Sequence, residues 1–293
     1  MKKTNGEKIF NVFNVLLMLV LALMTLYPFY YVAMASFSKS AEFMMHEGFL
    51  WKPLGFTLDA YKVVMKNDKI FTGFANTLFL IVVKGSMSML LTIIGAYVLS
   101  RKDAMLVPAA MFLIVVTMFF SGGLIPTYLN VRSFGLDNKI WALVFPTVIT
   151  PFNMIILRNA FSAVPGEIGE AASIDGAGSV GTLFMIMLPL VVPSLMVILL
   201  YYAVDIWNSW FDAMLYLRKK ALYPLQLVLR EILINNNTSS MGGNMASAGG
   251  DNETMAESVQ YAVMMVATVP ILLVYPFLQR YFVNGIMVGA VKG

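Results

Sequence analysis

Long apolar runs, separated by polar connections, dominate the pattern of this 293-residue chain. A helix needs about 20 mostly apolar residues to cross the hydrocarbon core of a bilayer, and several runs approach or exceed that length. The pattern therefore predicts an all-α, polytopic membrane protein with six transmembrane helices. The predicted spans cover residues 9–37, 71–99, 105–129, 140–160, 185–207 and 259–283.

The composition supports the same class and excludes several functions. Hydrophobic residues make up 59% of the chain and charged residues 12%, whereas soluble domains carry about 25% charged residues. The chain has no cysteine and a single histidine, His46, so the sequence predicts no disulfide framework, no metal site and no cofactor of its own. The basic residues are scattered, which is not the pattern of a nucleic-acid-binding protein.

The residues around the first run raise the question of a cleaved signal peptide. Lys2, Lys3 and Lys8 precede the run, and Ala33–Ala35 is similar to a cleavage site. The apolar run, residues 9–31, is nevertheless longer than the roughly 7–15 residues of a signal-peptide core. A retained first helix is therefore favoured.

Charge near the ends of the spans indicates the orientation only weakly. The lysines ahead of the first helix and the pair Arg101-Lys102 favour a cytoplasmic N-terminus. Residues 1–8 would then be a cytoplasmic segment and residues 9–293 a single transmembrane domain with a cytoplasmic C-terminus. The loops placed outside nevertheless hold more basic residues: Lys39, Lys52, Lys62, Lys66, Lys69, Arg218, Lys219 and Lys220.

The predicted external loop, residues 208–258, has two parts. Its middle, residues 235–252, is rich in Asn, Ser and Gly, which cannot bury a core and predicts a mobile segment. Residues 223–234 carry apolar side chains at helical spacing, which predicts a short amphipathic helix. This helix either packs over the ends of the spans or contacts a partner. Its apolar positions are Leu225, Val228, Leu229, Ile232 and Leu233.

The connection between the fourth and fifth spans, residues 163–187, has helix signals of its own. Pro165 suits a first helical position, and Glu167 and Glu170 lie near the helix start, where the helix dipole favours acids. Gly176 and Gly178 interrupt the helix, Asp175 suits the turn, and a second helix runs from near residue 179 to 189. The spacing predicts a helix-turn-helix outside the bilayer, whose small side chains allow close approach by another surface; the alternative is an ordinary amphipathic loop.

The same stretch matches a known motif at every defined position. Glu170-Ala171-Ala172, then Gly176 after three residues, then Ile186-Met187-Leu188-Pro189 after nine more, is the EAA motif of ABC-importer permeases. The chain resembles the permeases related to the maltose importer, and its C-terminal stretch is similar to the polysaccharide-transport group of Gram-positive bacteria. Further matching stretches are Asn76-Thr77, Ala96–Arg101, Ile125-Pro126, Gly135-Leu136, Tyr281–Gly285 and Gly289–Gly293.

The resemblance implies the type I ABC importer permease fold, in which this cytoplasmic loop forms a coupling helix that docks into a cleft of the ATPase subunit. Glu170 would pair with a basic residue of that subunit. Gly176 would allow the bend, and Pro189 ends the motif. The form Asp175-Gly176-Ala177 is common in the carbohydrate-importing branch. Ala171, Ala172 and Ala177 would allow close packing. A cytoplasmic loop also agrees with a cytoplasmic N-terminus.

The chain carries no phosphate-binding G-x-x-x-x-G-K-[ST] loop and no catalytic constellation, so it is predicted not to be an enzyme. The resemblance implies a separate ATPase, which binds ATP and Mg²⁺, in a bacterial plasma membrane. The other implied partners are a second related permease, a second ATPase subunit and an extracellular solute-binding lipoprotein that delivers a carbohydrate. In the maltose importer, the loop that corresponds to residues 208–258 reaches toward the binding protein's sugar, but its Asn/Gly/Ser-rich part differs here.

Polar and aromatic groups within the spans are candidate pathway residues: Asn76, Asn153, Asp205, Trp207 and Asn208. Aromatic rings such as Trp207 and Trp210 would stack on sugar rings. Amides and carboxylates such as Asn208 and Asp212 would hydrogen-bond to sugar hydroxyls. The alternative is that the aromatic residues anchor the spans at the membrane boundary, where Trp and Tyr concentrate.

Lys84 is the most conspicuous of the candidates because it lies near the middle of the second span. A lysine at that depth costs roughly 2.5–3.5 kcal/mol on insertion scales. It is therefore predicted to face the bundle interior, a water-filled cavity or the partner permease. A pair with Asp205 is one alternative.

Two other classes of transporter compete with this interpretation. One is the permease of another ABC importer, for peptides, amino acids or anions. The other is a secondary transporter, for which internal inverted repeats would be expected, and the two halves show none clearly.

Overall fold

The computed structural model describes residues 4–101, 105–241, 258–273 and 276, and all regular structure within them is helical. The predicted all-α class is therefore confirmed. The chain forms two compact units, one of Met1–Asp68 with Leu229–Val269 and the other of Lys69–Val228 with Pro270–Gly293.

The first unit contains a long N-terminal helix and short helices that follow it. Helix α1, Asn5–Ser36, is apolar on all sides, and no residue of its most apolar 18-residue stretch is buried within the chain. A helix of that kind belongs in a membrane. Near its end, Ala35 forms a small core with Phe43 and Leu50. The other helices that lie wholly or partly in this unit are α2 (Ser40–Met44), α3 (Asp59–Met65), α12 (Leu225–Met241) and α13 (Ser258–Leu273).

The second unit is built around α4, Asp68–Ser100, whose 33 residues rise about 50 Å at 1.5 Å per residue. Phe161, Ile198 and Tyr202, from two other helices, pack with Ala96 of α4 in its main core. The remaining helices of this unit are α5 (Val107–Phe119), α6 (Leu124–Ser133), α7 (Pro151–Ser162), α8 (Gly166–Ile174), α9 (Ser179–Leu190), α10 (Val192–Asn208) and α11 (Phe211–Tyr216).

Tyr202 joins three helices through a buried polar contact. Its hydroxyl lies 2.7 Å from Thr92 Oγ1 of α4, and it accepts a hydrogen bond from the Thr150 N–H, just before α7, at 3.2 Å. The tyrosine is 2% exposed. A satisfied buried hydroxyl both fixes the packing register and avoids the cost of an orphaned polar group.

The helices agree with some predicted spans and differ from others. Helices α1 and α4 match the first two spans and are each long and apolar enough to cross a membrane. Among the described residues, two further crossings are possible only as bent pairs: α5 with α6, at 115°, and α9 with α10, at 87°. The bends follow from the sequence, since Gly122-Gly123 separates the first pair and Pro189 and Pro193 flank the break in the second.

The predicted helix over residues 140–160 is wrong in its first half. Only a 3-10 turn, Ile140–Leu143, precedes α7, because Pro146 and Pro151 interrupt any longer helix. The described part of the last span, α13, ends at Leu273, and the rest of residues 259–283, like the C-terminal stretch of the resemblance, lies outside the description except for residue 276.

The predicted amphipathic helix at 223–234 is present as α12 but is longer than predicted. Its described part continues to Met241. The rest of that stretch, residues 242–252, lies outside the described residues.

Candidate functional site

The connection between α7 and α9 forms the predicted helix-turn-helix. Helix α8 begins at Gly166, one residue later than predicted, with Pro165 as its N-cap. Glu167 lies in the first turn, where the unpaired N–H groups favour an acid, and Glu170 is exposed one turn further on. The two signals that located the helix in the sequence are therefore those that begin it in the structure.

The turn after α8 is a Schellman motif centred on Gly176. The Gly176 N–H donates to the Ser173 carbonyl at 3.2 Å, and the Ala177 N–H donates to the Ala172 carbonyl at 2.9 Å. Gly176 has a φ of +80°, which costs an L-residue roughly 1–2 kcal/mol. The glycine is therefore needed for its backbone conformation, as its place in the motif predicts.

Gly178 has a different role from the one predicted. Its φ is −69°, which any residue can adopt, so it does not interrupt the helix by conformation. It is the N-cap of α9, and its carbonyl accepts hydrogen bonds from both the N–H and the hydroxyl of Thr182.

The small residues of the motif divide between two faces. Ala172 is buried, whereas Ala171 and Asp175 are exposed and Ala177 is half-buried. Helix α8 packs on the Thr182–Met187 segment of α9. Two large apolar side chains beside the turn, Ile174 and Val180, are 86% and 71% exposed. The exposed face of the helix-turn-helix therefore combines small, acidic and large apolar side chains.

A cavity of 670 Å³ lies under the helix-turn-helix. Its wall includes Glu170 of α8, Phe161 of α7, Met187 of α9, and Tyr97 and Arg101 at the end of α4. Arg158 of α7 donates through Nε to the Leu99 carbonyl at 3.2 Å and so caps the last turn of α4. The end of α4 and the helix-turn-helix therefore belong to one end of this unit.

Two of the predicted pathway residues, Asn76 and Trp207, have defined contacts. Asn76 donates from its amide to the carbonyls of Ala221 and Tyr223, at 2.8 and 3.0 Å, so it holds a loop in place. Trp207 is buried and packs edge-on to Phe74 with ring centroids 5.9 Å apart.

The remaining predicted pathway residues differ in exposure. Asn153 is buried in α7, and Asp205 and Asn208 are exposed near the end of α10.

Lys84 is buried, at 6% exposure, and donates from Nζ to Thr147 Oγ1 at 2.8 Å. The direct pair with Asp205, which was one alternative, is not formed, because these two described residues make no ion pair with each other. Thr147 was not predicted. It lies between Pro146 and Pro151, which leave that segment outside any helix and so able to meet α4.

No group of three or more potential metal ligands occurs in the described ranges.

Comparison with known proteins identifies the family. Residues 104–288, more than half of the chain, match the family described as the binding-protein-dependent transport system inner membrane component. The chain belongs to this family. The permease is therefore a multi-pass membrane subunit of an ABC importer, as its EAA motif predicts.

Two relatives in Bacillus subtilis (strain 168) align with almost the whole permease. It is 42% identical to the polygalacturonan/rhamnogalacturonan transport system permease protein YtcP, over 94% of this chain and 96% of YtcP. It is 38% identical to protein LplC, over 100% and 98% of the two chains. A solved structure of a bacterial ABC transporter that imports the acidic polysaccharide alginate matches with a TM-score of 0.84 and 30% identity, over 96% of this permease and 99% of that chain.

Proposed function

We propose that this permease translocates a carbohydrate, an oligosaccharide or a polysaccharide fragment, that an extracellular solute-binding protein delivers. The observation that carries the proposal is the Schellman turn at Gly176 within a complete EAA motif. The relatives named for polygalacturonan and rhamnogalacturonan and the alginate importer support the substrate class.

The proposed assembly contains this chain, a second related permease, two ATPase subunits that bind ATP and Mg²⁺, and the binding protein. The exposed face of α8 docks on the ATPase, where Glu170 pairs with a basic residue and Ala171 and Ala177 allow close approach. ATP can shift the balance of inward- and outward-facing states only if its binding free energy differs between the two states. The docked α8 transmits that difference from the ATPase to the spans.

The length of α4 supports a full crossing of the membrane, which places its two ends on opposite sides. Asn76 and Tyr97 are 21 residues apart on one helix, which places them about 32 Å apart along its axis, close to the roughly 30 Å of a hydrocarbon core. Tyr97 borders the cavity under the helix-turn-helix. With that end in the cytoplasm, Asn76 and the loop it holds lie at the outer surface, and both termini of a six-span chain are cytoplasmic.

The function is tested by reconstitution with its partners. The permease is co-expressed with its partner permease, ATPase and binding protein, and uptake of oligogalacturonate into proteoliposomes is measured. We expect uptake that requires ATP and the binding protein, with a hydrolysis-deficient ATPase as the control. Uptake by the purified chain without any ATPase would contradict the proposal and favour a secondary transporter. Identification of the solute bound to the purified binding protein separates a carbohydrate importer from one for peptides or anions.

Replacement of Lys84 tests whether its position is functional. Lys84→Leu removes the hydrogen bond to Thr147 and makes α4 easier to insert, since leucine is favoured and lysine disfavoured at mid-membrane. We expect normal insertion but uptake or assembly reduced about tenfold, equivalent to about 1.4 kcal/mol. Membrane abundance and uptake are measured together, with Val82→Leu, at an exposed position of the same helix, as the control. Unchanged uptake and assembly in Lys84→Leu would show that the lysine has no role in either.

A further inference from the structure

Three consecutive cations follow α11 at the end of the unit opposite the helix-turn-helix. We call residues Arg218–Lys220 the basic turn. All three are exposed, and so is Lys139, which follows Asn138. The loop that Asn76 holds begins directly after this turn.

The backbone of the basic turn is fixed from both sides. Asn138, in a left-handed conformation with a φ of +56°, accepts at Oδ1 from the N–H groups of Arg218 and Lys219, at 3.0 and 3.1 Å. Its own N–H donates to the Tyr216 carbonyl at 2.9 Å. On the other side, the amide of Asn76 holds the carbonyls that follow the turn. Lys139 is thereby kept beside the basic turn.

The charge of this cluster is only partly neutralised. Arg218 lies 3.3 Å from Asp137 Oδ2, whereas Lys139, Lys219 and Lys220 make no ion pair with other described residues. Like charges held close together repel and oppose folding. Hydrogen bonds that hold such a cluster in place are therefore expected to serve something other than the stability of this chain.

Insertion does not explain the cluster either. In the proposed orientation the basic turn is outside the cell, where the positive-inside rule disfavours lysine and arginine. The described cavity lies at the other end of α4 and is not lined by these residues, so the cations do not form the wall of that pocket. Their exposure and fixed backbone suit a large partner with complementary charge.

We propose that the basic turn and Lys139 dock an acidic surface of the extracellular solute-binding protein. The inference rests on the proposed function, because it needs the outer orientation and the binding-protein partner. Paired surface potentials accelerate association and fix the register of two proteins. The carboxylates of the binding protein pair with Lys219 and Lys220, while the ion pair with Asp137 holds the Arg218 side chain in position. The contact is electrostatic and sensitive to salt.

A pair of double variants with the same change in charge tests the proposal. Lys219→Glu/Lys220→Glu is compared with Lys52→Glu/Lys66→Glu, whose lysines are also exposed and predicted to lie outside. The reconstituted complex is presented to its purified binding protein, and the association rate is measured between about 0.05 and 1 M salt. At low salt we expect a rate at least about tenfold lower in the first variant, within the range of electrostatic steering. The difference should disappear near 1 M, where the Debye length is about 3 Å.

The control variant is expected to keep the wild-type rate, and both are expected to keep the basal ATPase activity. Asn138→Gly retains the left-handed backbone but removes the acceptor that fixes the turn, and it should give a smaller loss than charge reversal. Equal losses in the two double variants, or no loss in Lys219→Glu/Lys220→Glu, would overturn the proposal.

The substrate is the competing target of these cations. If the Lys219→Glu/Lys220→Glu complex binds the solute-free binding protein normally but loses uptake of oligogalacturonate and not of a neutral arabinooligosaccharide, the cations act on the sugar and the docking proposal is wrong. Failure of the wild-type complex to recruit any binding protein would instead contradict the proposed function itself.

Discussion

Uptake is expected to fall on the order of a hundredfold when Gly176 is replaced by proline, at the upper end of typical coupling energies. Proline requires a φ near −65°, whereas Gly176 has +80°. The substitution also removes the hydrogen bond from the Gly176 N–H to Ser173. The exposed face of α8 should then no longer align with the ATPase. ATP hydrolysis should therefore continue without transport. ATPase activity and uptake are measured in the same proteoliposomes.

Glycine 178 offers a matched control for this experiment. Gly178→Ala should be tolerated, because its φ is −69° and nothing lies within 4 Å of the added Cβ. Gly176→Ala meets equally open space within this chain, so a loss larger than that of Gly178→Ala reports on the backbone conformation at residue 176. Glu170→Lys tests the charge of the same face and should uncouple in the same way. Normal uptake in both Gly176→Pro and Glu170→Lys would refute the docking role.

The second large effect is expected in the core. Tyr202→Ala should destabilise the permease by about 3–5 kcal/mol, because it leaves a cavity where an aromatic ring is 2% exposed. Tyr202→Phe keeps the ring but deprives Thr92 and the Thr150 N–H of their partner, which should cost about 1–3 kcal/mol. Thermal unfolding in detergent measures both variants.

Tyr201 provides the control for this series. It adjoins Tyr202 on α10 but is 40% exposed, so Tyr201→Ala should have a much smaller effect. Thr92→Val combined with Tyr202→Phe completes a double-mutant cycle, and the two changes should be less than additive because they remove one contact. Full additivity would show that the two hydroxyls do not interact.

Local signals predicted the helix-turn-helix well because its determinants are local. Glu167 at a helix start and Gly176 at a helix end act through the backbone within a few residues. The spans that were predicted poorly fail for the opposite reason. Hydropathy measures how apolar a stretch is but not its direction, so it could not reveal the 115° bend within residues 105–129.

Single side chains in the spans were the hardest to interpret from sequence. The rarity of charge at Lys84 indicated burial, and it is buried, but its partner Thr147 is 63 residues away and carries no signal of its own. The role of Asn76 in the pathway stays a prediction, and no local pattern indicated that its amide donates to two carbonyls 145 and 147 residues along the chain. Such pairs are set by tertiary structure, which a single sequence does not display.

The bend between α5 and α6 limits how the chain can be placed in a lipid bilayer. Helix α5 has 13 residues, a rise of about 20 Å, which is shorter than a hydrocarbon core of roughly 30 Å. Residues 120–123 are exposed and outside any helix. The Phe120 N–H and the Gly123 carbonyl are paired within the chain, but hydrocarbon offers no hydrogen bonds to backbone groups that the chain leaves unpaired. Wherever this corner reaches hydrocarbon depth, neighbouring protein or a water-filled space must cover it. At that depth the corner is stable only with protein or water packed against it.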